Sequence, residues 1–207
     1  MEQKSNPQED LNHIRDIMER SSRFLSLSGL SGVLAGIYAL IGAAAAFWVL
    51  NHNQLKPNYT RFQAQDNTTV IILIGIAVVV LGAALITGVL FSVRRARKIG
   101  VRLWGATSRR LFINLIIPLA TGGIFVLLMT QKGYYGLSAP LMLIFYGLAL
   151  INASKYTLPD IRSLGMAEII LGLINTAMIG YGLYFWAAGF GLLHIIYGIA
   201  MYLKYER

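Results

Sequence analysis

Residues 69–93 read TVIILIGIAVVVLGAALITGVLFSV, a run without one charged side chain, and residues 94–98 that follow read RRARK. At about 1.5 Å of rise per residue, a helix of that length exceeds the roughly 30 Å of hydrocarbon in a bilayer. Inside lipid the backbone must satisfy its own hydrogen bonds, which a helix does and a lone strand does not. The cationic stop assigns the C-terminal end of this span to the cytoplasm, because Lys and Arg collect in cytoplasmic loops.

Five other predominantly apolar runs lie at residues 25–50, 111–130, 137–153, 164–186 and 189–203. The chain therefore reads as all-α, one six-helix transmembrane domain over residues 25–207 preceded by a cytoplasmic segment over residues 1–24. Composition agrees: 56% of the 207 residues are hydrophobic and 13% charged, against about a quarter charged in a soluble domain. The last run covers only about 22 Å, so Tyr202, Lys204 and Tyr205 are needed as snorkelling anchors. Only Ala187 and Ala188 separate the fifth and sixth runs, which predicts a tight hairpin there. The opening segment is too long and too acidic for a signal peptide and is expected to be retained.

Of the 18 Lys and Arg, 15 fall on one side of these spans, and only Lys56, Arg61 and Lys132 on the other. Both termini are thus expected in the cytoplasm. Trp48, Tyr134, Tyr135, Tyr184 and Trp186 would form the outer aromatic belt, with Trp104, Tyr156, Tyr202 and Tyr205 at the inner one. The net charge of +9 is then a product of topology rather than a sign of nucleic-acid binding. Arg94, Arg95, Arg97, Lys98, Arg102, Arg109 and Arg110 share one acid-free loop. Its expected partners are anionic lipid headgroups, at about 1 kcal/mol per basic residue near the surface.

Asn6 and Pro7 form a helix start, and Leu11, Ile14, Ile17 and Met18 repeat at helical spacing among charges. An amphipathic helix is predicted there, lying on the inner leaflet or against a partner. Further on, Gly82-Ala83-Ala84-Leu85, Gly147-Leu148-Ala149-Leu150 and Gly198-Ile199-Ala200-Met201 recur in the even-numbered spans, which suggests three related helical hairpins. A three-hairpin, six-helix plan resembles, in architecture, the bacterial acid-resistance membrane protein family HdeD. Residues 18–32, MERSSRFLSLSGLSG, look like the opening of uncharacterised bacterial inner-membrane proteins. The resemblance implies an inner-membrane location and carries no activity with it.

Polar groups inside spans are costly and point to function by default. Glu168 is the only acid within a span, and Asn175, seven residues on, shares its helix face. His194 is the only histidine within a span. With a turn at residues 187–188, it stands about 10–15 Å from Glu168 in depth, so the two are not expected to pair. A fifth helix starting at Thr157, with Asp160 completing a capping box, would carry Glu168 deep; entry near Leu164 would leave it within reach of interfacial water. A deep carboxyl needs a donor, for which Asn114 and Asn152 are the candidates, and with Glu168 they outline a cytoplasm-facing pocket. Pro118, Gly122 and Gly123 weaken the third helix near mid-span, either as a substrate-binding break or as a kink eased by neighbours. Ser28, Gly32 and Gly36, like Ala35, Ala39 and Ala43, form small-residue faces that pack within the bundle or between protomers.

Cysteine is absent, which excludes disulfides, zinc–thiolate and iron–sulfur sites, thiol nucleophiles and lipoprotein acylation. No nucleophile–base pair and no metal-ligand set stands out, so neither an enzyme nor a cofactor is expected. The reading is a non-enzymatic sensor, scaffold or partner subunit of the bacterial inner membrane, bound to a membrane partner or to copies of itself. The alternative is a small oligomeric transporter or channel for a small solute or protons.

Overall fold

The computed structural model describes residues 28–52, 67–98, 100 and 105–207. The N-terminal amphipathic segment, Arg102 and Trp104 lie outside the described residues. Among the described residues there are six helices and no strand: α1 Gly29–His52, α2 Asn67–Lys98, α3 Ala106–Gln131, α4 Ser138–Ala153, α5 Asp160–Ala177 and α6 Gly182–Tyr205. All but α5 are long and apolar enough to cross a membrane, α4 with the short 3-10 turns at its ends. By length and composition the chain is a multi-pass membrane protein. Helix α5 falls short because its 18 residues include Asp160, Arg162 and Glu168.

The boundary between the last two helices departs from the sequence expectation. Ala187 and Ala188 form no turn; they open a π-helical stretch, Ala187–Leu193, inside α6, flanked by α-helix over Gly182–Trp186 and His194–Tyr205. Alanine favours helix, and nothing at those positions forces the chain to reverse. The reversal comes earlier, after Ala177, where Gly180 has φ +113°, a conformation that costs glycine little and other residues more. Helix α5 also starts at Asp160 and not at Thr157.

Two close helix crossings organise the bundle, α1 with α6 and α4 with α5, while α2 lies on α1 and α3 on α4. They join helices assigned by sequence to different hairpins. Glycines make them possible, since hydrophobic burial drives little helix association in lipid and close backbone packing takes its place. A Cβ on Gly36 would stand 2.6 Å from the Gly191 carbonyl and meet Ile195, and one on Gly147 would stand 2.5 Å from the Gly165 carbonyl and meet Ile169. Gly198 packs on Gly29 and Val33 as Gly172 packs on Pro140 and Ile144. Gly191 meets Leu40 as Gly165 meets Ile151. The crossings thus repeat in register, α1 matching α4 and α6 matching α5. Because α1 starts at the end where α4 finishes, the two crossings are related as by a two-fold axis perpendicular to the helices.

Ionic contacts tie the helix ends at one end of the bundle, called here the basic end. Glu206, just after α6, accepts hydrogen bonds from the Gly29 N–H and the Ser28 hydroxyl at the start of α1, and from Arg95 Nη1 at 2.6 Å. A carboxylate at a helix N-terminus meets both unpaired N–H groups and the positive end of the dipole. Asp160 accepts from Lys204 Nζ at 2.9 Å and from the Tyr205 hydroxyl at 2.6 Å. Tyr205, and beside it Lys204, hold the Asp160 carboxyl below the ordinary carboxylate range.

A buried carboxyl, imidazole and phenol as candidate functional site

The buried residues of α5 are Ile161, Leu164, Gly165, Glu168, Gly172 and Asn175. Their three- and four-residue spacing is one helix face, and that face carries the only two fully buried polar side chains of the helix, Glu168 and Asn175, each at 0% exposure. Opposite Glu168 stands α6, where Gly189 offers no side chain. A Cβ there would lie 2.5 Å from Glu168 Oε2 and 2.5 Å from Leu143 Cδ2, so the carboxyl rests on the backbone of the π-helical stretch.

His194 opens the final α-helical segment and lies 3.5 Å from Glu168, Nδ1 to Oε1. This overturns the expected separation in depth. With the reversal after Ala177, Glu168 stands about 13 Å before the end of α5 and His194 about 16–18 Å after the start of α6. The shorter rise of the π-helical stretch brings the two levels together. The repeated crossings describe the same fact differently: Glu168, three residues past Gly165, and His194, three residues past Gly191, hold equivalent positions and face each other.

Hydrogen bonds set the state of the imidazole. Nδ1 is 3.0 Å from the Gly189 carbonyl, which only accepts, so Nδ1 carries a hydrogen and donates. In the neutral ring Nε2 is then the acceptor, and the Tyr146 hydroxyl of α4 donates to it at 2.7 Å. Phe190 packs beside both rings, with centroids 5.1 Å from Tyr146 and 6.0 Å from His194. Neither Glu168 oxygen makes a hydrogen bond, and the Asn175 Oδ1 makes none either. Buried polar atoms are almost always satisfied, so three orphaned oxygens on one helix face single it out as the candidate site.

The other expected site residues do not converge here. Asn114 Nδ2 donates to the Arg110 carbonyl of its own helix, and Asn152 is half-buried near the end of α4. Neither makes a hydrogen bond to Glu168. Helix α3 continues through Pro118 without a break. Gly122 there is a packing seat for Phe145, while Gly123 has no neighbouring element within 4 Å of a Cβ position. Arg94, Arg97, Lys98, Arg109 and Arg110 are exposed, whereas Arg95 is held by Glu206. Tyr146 and Gly189 are site members that sequence reasoning missed. Tyr146 stands next to Gly147 in the recurring Gly-Leu-Ala-Leu motif, and Gly189 was assigned to a helix start.

No protein-family model, curated protein or solved structure matches the chain.

Proposed function

We propose that the chain is a non-enzymatic membrane module that responds to proton binding at the Glu168–His194 pair, serving the bacterial inner membrane as a sensor or partner subunit. The observation that carries this reading is a carboxyl and an imidazole 3.5 Å apart, both buried, with the carboxyl oxygens free of hydrogen bonds. In a medium of low dielectric constant such a pair is electroneutral when it shares one proton, either as acid and neutral ring or as carboxylate and imidazolium. Gaining or losing that proton changes the net charge between α5 and α6 and therefore how they pack. Tyr146 links the event to α4, and the two glycine crossings give the helix pairs smooth surfaces on which to shift. The 15-to-3 distribution of Lys and Arg supports cytoplasmic termini, with anionic lipids at the exposed arginines of the basic end.

One observation favours a second reading, a small proton-coupled transporter or channel. The Glu168 carboxyl rests on a π-helical stretch, and irregular helix in membranes is tolerated where it lines a functional path. Proteoliposomes separate the readings. A sensor shows a pH-dependent change in intrinsic fluorescence without proton flux, and a transporter shows flux; Glu168→Gln abolishes whichever is present. Neither response in the wild-type protein would refute both.

A further inference from the structure

The Glu168–His194 pair is not equally placed with respect to the two ends of the bundle. Toward the basic end the inward face of α5 continues as Leu164 and Ile161, which join Leu150, Leu158 and Met201 in one buried apolar cluster. That cluster lies between the pair and the ionic contacts of Asp160; its five buried members carry no O–H or N–H side-chain group, and of the tyrosines packed against it Tyr146 and Tyr205 commit their hydroxyls to His194 and Asp160. Toward the opposite end the same face continues through Gly172 to Asn175, whose Oδ1 is buried and unpartnered and whose Nδ2 has only a long bond, 3.4 Å, to the Met178 carbonyl. Two residues beyond Asn175 the helix ends, and the chain reverses through exposed Met178, Ile179 and Tyr181.

Helix α6 matches this layout. Gly182 lies opposite Asn175 as Gly189 lies opposite Glu168: a Cβ on Gly182 would come within 3.9 Å of Asn175 Oδ1 and 3.1 Å of Ala139 Cβ. Two of the three orphaned oxygens of α5, Glu168 Oε2 and Asn175 Oδ1, therefore face a glycine of α6, and the third, Glu168 Oε1, faces His194. The titratable groups facing Glu168 are His194 from α6 and Tyr146 from α4, hydrogen-bonded to that ring.

We propose that Asn175 is a relay through which the Glu168–His194 pair exchanges protons with the aqueous phase at the Met178–Tyr181 end, so that the pair follows the pH of that side alone. The inference rests on the proton-responsive reading above and adds its sidedness. An asparagine does not titrate; its carbonyl oxygen accepts and its amide donates, as a hydrogen-bonded chain requires. The gap from Asn175 to Glu168 is about 10 Å along the helix, so the proposed transfer requires water to enter between them transiently. On the other side the buried cluster of leucine, isoleucine and methionine opposes transfer, because a proton in apolar surroundings has no partner.

The test uses the full chain in proteoliposomes with its orientation assigned by accessible-lysine labelling. A hydrophobic carbodiimide, which modifies protonated carboxyls, is added after the pH is stepped on one side, and adduct on the Glu168 peptide is read by mass spectrometry. Labelling is expected to follow the pH of the compartment facing the Met178–Tyr181 turn and to ignore the other. Asn175→Leu should slow the response at least tenfold without changing its final extent, and Asn175→Gln should restore most of the rate. If Asn175→Leu does not fold, Gly182→Ala supplies a second obstruction beside Oδ1 and should slow the response in the same sense. Labelling that follows the basic-end pH, or an Asn175→Leu response as fast as wild type, overturns the relay and leaves the proton-responsive reading standing. Labelling indifferent to pH on both sides overturns that reading and the relay with it.

Discussion

Glu206 Oε1 accepts hydrogen bonds from Arg95 Nη1, 2.6 Å away, and from the backbone N–H of Gly29, so one carboxylate joins the ends of α1, α2 and α6. Both side chains of this ion pair are mostly buried, at 13% and 14% exposure. Glu206→Gln should lower stability in detergent by about 1.5–3 kcal/mol, the range for hydrogen bonds to charged groups. Arg95→Met should cost a similar amount, and the double variant less than the two combined. Thermal unfolding of the four proteins decides this, and additive losses would show that the pair acts as separate contacts.

The repeated crossings predict matched responses to equivalent substitutions. Gly36→Ala and Gly147→Ala each drive a methyl to within 2.6 Å of a backbone carbonyl that cannot swing away. Each should destabilise by about 1–3 kcal/mol, as overpacking does. Gly82→Ala and Gly123→Ala, with nothing within 4 Å, should be neutral or stabilising, since alanine is the better helix former. Thermal midpoints in detergent check the contrast, and equal losses at all four positions would count against the crossings.

Lipid binding should separate from stability. Arg94, Arg97 and Lys98 are exposed at the end of α2, while Arg95 is held by Glu206. Changing the three exposed residues to Gln should weaken retention of anionic lipids in native mass spectra, by about 1 kcal/mol per charge, and leave the thermal midpoint in place. Arg95→Gln should do the reverse.

Asp160 predicts a pH dependence whose sign can be worked out. Its carboxyl is held below the ordinary range by Tyr205 and Lys204 in the fold and returns to about 3.9 when unfolded. The unfolded chain therefore binds the proton more readily, and the stabilisation is complete above that ordinary value and lost as pH falls through the lower folded value. The effect is small because the group is partly exposed. A titration of thermal midpoint should show this acid loss in wild type and a flatter profile in Asp160→Asn.

Much of the fold was legible in the sequence because a bilayer imposes length and apolarity on each span, and the runs at residues 69–93 and 137–153 lie within α2 and the α4 region. The inward face of α5 was also legible, since Glu168 and Asn175 are seven residues apart in any helix. The pairing of Glu168 with His194 was not. It depends on where α5 ends, and the reversal at residues 178–181 is built from Met, Ile, Gly and Tyr, as apolar as the spans it joins. The only local signals were Gly180 and Gly182. The π-helical stretch adds a second shift that no periodicity announces, because alanine and glycine fit α- and π-helix alike. Asn114 and Asn152 were chosen as partners by depth alone, and depth says nothing about which helices touch.

Proton sharing between Glu168 and His194 is the center of the account, and infrared difference spectroscopy across a pH titration tests it most directly. The carbonyl stretch of the protonated acid, assigned by its absence in Glu168→Gln, and the ring modes of His194, assigned by isotope-labelled histidine, should change together with one midpoint. His194→Phe should shift the acid's titration, and Tyr146→Phe should perturb the ring modes. Independent titrations of the two groups, or an acid band that ignores His194→Phe, would contradict the account.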